Sequence, residues 1–400
     1  MKRRPKNKPQ LGVPVELQQI LDASNAMSAG GSEPRKHHLV PRFYLDRWAT
    51  DGMVKVTDLT NGRPSYLSKA QNALVETDFY RVPDGTVEGG SPVVWETWLS
   101  KIEGDAAKVF AAVDRGGLGD LNESQWTRLL TFIAVQITRS RSFRFRGRWM
   151  MGPGYYRLME LDIEGAIEAL LIRAGESSSA ERVEELQAYF ARVNIDPWSV
   201  PIEAAWEMDT ASRSAESLFD TLVTRKFKVY ETVRPLLTSD EPVVLLNENM
   251  GAVHHPDGGG FFGAPIVIFP FGPHQVLAMF RQDMPVLRSA DTKFDWSETL
   301  ELNRVIAGNT HRNVVEVLTG RLGANLFLPA LRDPVGILTI PPANGEGSEL
   351  LWMPSQNRWH QHKDAPRRPV KSWWPDVLPL PPRGPATNAE WQTERDAYNS

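Results

Sequence analysis

The stretch KFKVYET, at residues 226–232, marks the point where the pattern of the chain changes. Phe227, Val229 and Glu231 alternate with the residues between them, and a two-residue period is typical of a strand. Further short strands are predicted at residues 242–246, 265–269 and 275–280. Because these strands are closely spaced, turns must join them, and we expect a mainly antiparallel sheet. A helix is predicted after the sheet, at residues 297–318.

The sequence before residue 226 has the spacing of helices. A first helix is indicated by apolar residues at helical spacing, namely Val94, Trp95, Trp98, Leu99 and Ile102. Asn122 is a candidate N-cap for a second helix, whose apolar stripe is Leu129, Leu130, Ile133, Ala134 and Ile137. Three more helices, rich in glutamate on faces expected to be solvated, are predicted at residues 155–173, 180–193 and 201–220. Helices followed by strands predict an α+β fold, with a helical bundle packed on a mainly antiparallel sheet.

The two ends of the chain differ in composition from its middle. Residues 1–34 are basic and then rich in Ser and Gly, which predicts a mobile leader. Residues 331–400 are rich in Pro and Trp, which predicts an extended, partly ordered tail. Between them we expect one domain with three parts, a hairpin motif at 35–90, a helical part at 91–220, and a sheet plus helix at 221–330. The hairpin is indicated by Asp-Gly and Asn-Gly turns on either side of Met53–Asp58.

The composition excludes several classes of protein. The chain contains no cysteine, so disulfides, zinc ribbons, iron–sulfur clusters and thiol catalysis are excluded, and a divalent metal would need His, Asp or Glu ligands. The net charge of −4 creates no global attraction to nucleic acid or membranes. No apolar run reaches the ~18 residues of a membrane span, and the basic N-terminus lacks the apolar stretch of a secretory signal. We therefore expect a soluble cytoplasmic protein.

The leading catalytic candidate is His38, in the segment KHHLVPRFYL at residues 36–45. Pro41 restricts Val40 to extended conformations, so the segment holds the histidine in a defined place. Imidazole acts as an acid, a base or a metal ligand near neutral pH. The alternative is a structural histidine that caps the hairpin through a carbonyl group.

A dense arginine cluster lies at the end of the second predicted helix, and its members are Arg139, Arg141, Arg144, Arg146 and Arg148. Three aromatic residues are interleaved, Phe143, Phe145 and Trp149. Guanidinium groups bind phosphate bidentately, and the rings could stack on bases. The alternative is structural, because cations are favoured at a helix C-terminus and the rings could belong to the core. The cluster indicates nucleic acid or another polyanion as a partner.

Asp240 is the second catalytic candidate, at a strand entry in the segment SDEP at residues 239–242. A carboxylate there could orient a histidine or hold a cation, or it could form an Asx turn before Pro242. Asn303 and Arg312 are candidate substrate-binding residues on the last predicted helix. They are nine positions apart and would point in nearly opposite directions, so a bend or a second element is needed to bring them together.

Two further sets of residues are candidates for binding a metal or a partner. His254, His255 and Asp257 have metal-ligand side chains, but adjacent histidines in an extended segment point in different directions, which favours a solvated loop. The tail combines basic and aromatic residues, which are Arg358, Trp359, His360, His362, Lys363, Arg367, Arg368, Lys371, Trp373 and Trp374. Such a tail could contact nucleic acid or a protein partner.

Several segments together resemble domain-of-unknown-function family 4238. The opening motif is KHHLVPRFYL, and the later segments follow in the family's order, as ALVETDFY (73–80), QITRSRSFR (136–144), TSDEP (238–242), IFPF (268–271) and residues 303–312. Within the arginine cluster, the resemblance singles out Arg139 and Arg144 as substrate-binding candidates. Thr310 and His311 depart from the Ala-acidic pair of the family, which argues against a role for His311. The family has no established activity, so the resemblance implies a map of residues and no mechanism.

Two hypotheses follow. The first is an enzyme that acts on a phosphate-containing or nucleic-acid substrate, a hydrolase or nuclease, with His38 and Asp240 as catalytic groups, and an effector in phage defence would fit such chemistry. The second is a non-catalytic binding or scaffold protein with structural His, Arg and Asp networks. The sequence contains none of the phosphate-loop, dinucleotide-binding, His-Glu-x-x-His or Gly-x-Ser-x-Gly motifs. Convergence of His38, Arg139 and Asp240 in one open pocket would favour the enzyme, and separate buried networks would favour the second hypothesis.

Overall fold

The computed structural model describes residues 17–31, 33–60, 64–85, 90–154, 163–192, 204–246, 260–286, 292–322, 330–331, 335–340, 349–353 and 359–360. The helices in these ranges are α1 Leu17–Ala29, α2 Arg42–Leu45, α3 Val94–Gly116, α4 Glu123–Thr138, α5 Arg141–Trp149, α6 Ile163–Ala174, α7 Ala180–Arg192, α8 Ala204–Leu222, α9 Gly260–Gly263 and α10 Trp296–Asn309. The strands are β1 Lys36–His38, β2 Met53–Asp58, β3 Tyr66–Lys69, β4 Val75–Thr77, β5 Lys226–Thr232, β6 Thr238–Ser239, β7 Val244–Leu246, β8 Ile266–Gly272, β9 Gln275–Phe280, β10 Lys293–Phe294, β11 Asn313–Glu316, β12 Ala330–Leu331, β13 Val335–Ile340, β14 Glu349–Met353 and β15 Trp359–His360.

The strands form two main sheets. A five-stranded sheet has the order β10-β5-β9-β8-β7, and a four-stranded sheet has the order β3-β2-β11-β6. Every pairing in them is antiparallel except that of β10 with β5. The predicted α+β fold with a mainly antiparallel sheet is therefore confirmed.

Strand β8 lies between two apolar cores and is buried along its whole length. Its residues alternate between the cores because successive side chains of a strand point to opposite faces. Val267, Phe269 and Phe271 pack into the core that contains the helical bundle. Ile266 and Ile268 pack into a second core with residues of α10. The five-stranded sheet is thus covered by helices on both faces.

The arginine cluster is divided between two helices and does not lie at the end of one. Helix α4 begins with the predicted Asn122 cap, whose side chain accepts a hydrogen bond from the backbone of Gln125. The helix ends at Thr138, and the hydroxyl of Ser140 then caps α5 by accepting from Phe143 N at 3.1 Å. The second cap reorients the chain, so the dipole of α4 acts on Arg139, whereas Arg146 and Arg148 lie in the last turn of α5, where the dipole of that helix favours a positive charge.

The last predicted helix is shorter than expected. Helix α10 ends at Asn309, and residues that were expected to continue it form strand β11. This strand pairs with β2 on one side and with β6 on the other. The helical prediction for residues 297–318 was wrong after residue 309 because pairing with two distant strands overrides local preference.

Both ends of the chain contain more structure than predicted. Helix α1 lies within the predicted mobile leader, and its Ile20 and Leu21 are buried against Val82 and Val94. An extended tail was expected after residue 331, but β13 and β14 form an antiparallel pair there. No helix in the described ranges is long and apolar enough to cross a membrane.

Candidate functional site

Arg139 occupies the junction between α4 and α5, and only 2% of its side chain is exposed. Its guanidinium donates to the Glu103 carboxylate on α3, to the His38 carbonyl on β1, and to the Tyr80 hydroxyl at 3.0 Å. The same guanidinium lies 5.1 Å from the centre of the Tyr80 ring. Arg139 therefore ties β1, α3 and the segment after β4 to the end of α4.

The two histidines of the opening motif face opposite sides of β1. His38 is half-buried, and its Nε2 lies 3.1 Å from the Gln71 carbonyl, which is the structural role considered above. His37 is fully buried, accepts from Tyr80 N at 2.7 Å through Nδ1, and contacts the Pro34 carbonyl through Nε2 at 3.0 Å. Burial lowers the pKa of both imidazoles and favours their neutral forms.

An aromatic cleft opens beside Arg139, between the segment after β4, α5 and α8. Five aromatic rings line it, those of Phe79, Tyr80, Trp95, Phe143 and Trp206. Its polar lining residues are Arg81, Thr138, Arg139, Arg144, Glu207 and Thr210. The predicted substrate-binding residues Arg139 and Arg144 are thus brought together at one mainly apolar recess.

Glu207 is shared by two arginines of α5. Arg144 Nη2 donates to one carboxylate oxygen at 2.5 Å, and Arg148 Nε donates to the other at 2.6 Å. Burial opposes the charged form, but the two guanidinium groups prevail and lower the pKa of Glu207. The glutamates of residues 201–220 were expected on a solvated face, yet only 12% of the Glu207 side chain is exposed.

Asp240 lies in a second, separate group of polar residues. Its carboxylate accepts from the backbone N–H groups of His311 at 3.0 Å, Arg312 at 2.9 Å and Asn313 at 2.9 Å. The expected Asx turn is replaced by this bond set, which fixes the entry to β11. Burial raises the pKa of Asp240 and lowers that of the adjacent His311.

Ser142, His311 and Asp240 do not form a catalytic relay. Ser142 Oγ and His311 Nδ1 are 3.5 Å apart, the long limit for a hydrogen bond. Asp240 binds the backbone of His311, whereas a relay requires the carboxylate to orient the ring.

The other predicted site residues have structural contacts. Arg312 precedes β11, where a helix was expected, and it binds Asp58 at 3.0 and 2.8 Å. Asn303 is buried and accepts from Leu237 N at 2.6 Å while donating to the Pro235 carbonyl at 3.1 Å, so it joins α10 to the segment before β6.

A metal site finds no support in the part of the chain that the structure describes, where no three His, Asp or Glu side chains are placed to hold an ion. His254, His255 and Asp257 lie outside the described residues, as does most of the basic and aromatic tail.

Sequence reasoning missed Glu96, which lies on α3 seven residues before Glu103 and therefore on the same helical face. Its Oε2 is buried without a hydrogen-bond partner among the described residues. Burial raises the pKa of Glu96 to about 7, against the attraction of Arg139 and with the help of the Glu103 charge. The sequence alone does not distinguish Glu96 from the solvated glutamates of an amphipathic helix, so its burial and raised pKa could not be predicted.

We expect the contribution of Glu96 to the stability of the protein to fall as the pH rises from about 4.5 to about 7. In this window the unfolded chain releases the Glu96 proton while the folded protein retains it, because the folded-state pKa is the higher one. Glu96→Gln should remove this dependence and be more stable than wild type at about pH 8, by roughly 1–3 kcal/mol. Urea denaturation at about pH 5 and about pH 8 measures the difference, and Glu216→Gln at an exposed site is the control. Parallel pH profiles for wild type and Glu96→Gln would contradict the assignment.

The part of the chain that matches a known family contains the Arg139 network, the Asp240 network and the aromatic cleft. Residues 36–317 match the model of the family described as "Protein of unknown function (DUF4238)". No curated protein and no solved structure matches the chain. The match begins at β1 and ends immediately after β11, and it includes more than half of the chain. The chain therefore belongs to the DUF4238 family.

Proposed function

We propose that this protein is a binding protein whose aromatic cleft takes up a flat aromatic ring of the nucleobase class. The observation that carries the proposal is the set of five aromatic rings around one recess. A recess lined mainly by apolar and aromatic side chains, with a few polar groups among them, is typical of small-molecule sites. Stacking of a base on an aromatic side chain contributes about 1–3 kcal/mol and is available to every base because each has a π-face.

Binding is favoured over catalysis because the side chains of His38, Arg139 and Asp240 bind different partners and do not converge in one open pocket. Arg139 is buried with Glu103, Asp240 is buried against the backbone of residues 311–313, and His38 binds a carbonyl of the hairpin. Only Arg139 of these three lines the aromatic cleft. Separate buried networks are the arrangement expected of structural residues.

Binding of an extended polyanion by the arginine cluster is not favoured either. Four members of the arginine cluster already pair with carboxylates, in the pairs Arg139–Glu103, Arg141–Glu76, Arg144–Glu207 and Arg148–Glu207. An extended polyanion would have to break several of these pairs at once. Stacking in the cleft needs no such exchange, and a role in phage defence stays a prediction from the sequence.

Gly147 allows the cleft to be filled without disturbing the core. It lies on α5 at the cleft wall, and a Cβ atom there would be 3.6 Å from the Trp206 ring, an ordinary contact. We expect Gly147→Leu to weaken the binding of adenosine at least about tenfold, because the added side chain occupies the space of the ring. Titration calorimetry, or quenching of the Trp95 and Trp206 fluorescence, measures the affinity.

Gly147→Ala is the matched control for this experiment. Its single methyl group fits, and replacement of a helical glycine should add about 0.5–1 kcal/mol to the stability. Adenosine binding should be nearly retained in this variant. If wild type does not bind adenosine, or if Gly147→Leu binds it equally well, the proposed function is wrong.

A further inference from the structure

Glu207 occupies the place on the cleft wall where an anionic ligand group would bind. Both of its carboxylate oxygens are held by guanidinium groups, one by Arg144 and one by Arg148. Carboxylate and phosphate present similar paired oxygens to a guanidinium fork. The same two arginines could therefore hold a phosphate if the Glu207 side chain turned away.

Arg144 would keep its position after such an exchange. Its Nη1 donates to the Phe79 carbonyl, and its guanidinium lies 4.5 Å from the centre of the Phe79 ring. Neither contact involves Glu207, so the donor group is preorganised at the edge of the cleft. Arg148 is 57% exposed, which makes it accessible to a ligand entering from solvent.

Glu207 would keep a favourable environment after its release. It lies in the first turn of α8, where the helix dipole stabilises a negative charge. The exchange therefore does not leave an isolated carboxylate behind. It does require that the incoming anion interact with the arginines more strongly than a carboxylate of charge −1 does.

We infer that the ligand of the aromatic cleft carries a phosphomonoester next to its ring, as a nucleoside monophosphate does, and that this phosphate replaces Glu207 on Arg144 and Arg148. A phosphomonoester carries a charge of about −1.5 to −2 at neutral pH, more than the carboxylate it displaces. Glu207 thus selects for a strong anion and against weaker anions, which cannot displace it from Arg144 and Arg148. This inference rests on the proposed function, in which the cleft holds the ring.

The test compares adenosine monophosphate with adenosine by titration calorimetry of the full chain. Glu207→Gln removes the competing charge, so adenosine monophosphate should bind about tenfold tighter than to wild type, while adenosine binding should stay within about twofold. Asp209→Asn is the matched control, since it makes the same charge change on α8 at an exposed residue paired with Arg213. It should change neither affinity.

Three results would overturn the inference, namely no gain for adenosine monophosphate in Glu207→Gln, an equal gain for adenosine, or the same gain in Asp209→Asn. If Glu207→Gln does not fold, the Arg148→Gln variant tests the same inference. It should weaken adenosine monophosphate binding about fivefold and spare adenosine, and equal effects on both ligands would overturn the inference. Adenosine binding by wild type, with any of these results, would leave the proposed function standing.

Discussion

Replacing Arg139 with Met is expected to lower the free energy of unfolding by about 3–5 kcal/mol, because removal of one partner strands buried polar groups. The Glu103 carboxylate would lose its cation, and the His38 carbonyl and the Tyr80 hydroxyl would each lose a donor. Glu96 would then face Glu103 without the compensating charge. The side chain of Met has a similar length, so the loss reports on charge and hydrogen bonds more than on volume.

Urea denaturation at neutral pH measures this effect. Arg148→Met is the control, because it removes a guanidinium from the same cluster at a position that is 57% exposed, and its stability should stay close to wild type. A loss below about 1 kcal/mol for Arg139→Met would show that the Arg139 network does not hold β1 against the helical bundle.

Asp240→Ala is expected to cost about 3–5 kcal/mol, since three backbone N–H groups at the entry to β11 lose a charged acceptor together. Strand β11 pairs with both β2 and β6, so the substitution should destabilise the whole four-stranded sheet. A catalytic role for Asp240 would instead predict lost turnover in a protein of unchanged stability.

Amide hydrogen exchange locates the expected loss. The amides of Val314 and Val315 should exchange faster in Asp240→Ala, beyond the change that the global loss of stability explains. Asp283→Ala removes an exposed carboxylate paired with Arg281 and should leave both amides protected as in wild type. Unchanged protection of β11 in Asp240→Ala would mean that the carboxylate does not fix this strand.

The fold was predictable wherever the pattern is local. The strand Met53–Asp58 and the cap at Asn122 are as expected, because turn residues and cap residues act over a few positions. Strand β11 was predicted to be helical. The local sequence Asn313–Glu316 does not show that it will bind Asp240 and pair with two distant strands. Helix α1 was missed as a packed element because its apolar contacts, Val82 and residues of α3 among them, are distant in the sequence.

The sequence drew attention to the arginines but not to the carboxylates that they bind. Arginines are conspicuous in the sequence, whereas their partners Glu103 and Glu207 resemble ordinary solvated glutamates on helices. The opening motif also contributes to the packing of the core, since Tyr44 is buried. Its hydroxyl donates to the Pro270 carbonyl at 2.7 Å and lies 2.8 Å from the Thr238 hydroxyl. Segments of the family that are far apart in the chain therefore meet around one tyrosine.

The position of β11 between β2 and β6 has a consequence for synthesis on the ribosome. Asp58 at the end of β2 and its partner Arg312 are 254 positions apart, so β2 emerges long before the strand that covers its second edge. Pairings over such distances form slowly, and an open strand edge invites association with other chains. A nascent or truncated chain that stops before residue 313 would leave the facing edges of β2 and β6 unpaired. We therefore expect such chains to depend on chaperones, or to aggregate, although most of the sequence is already present.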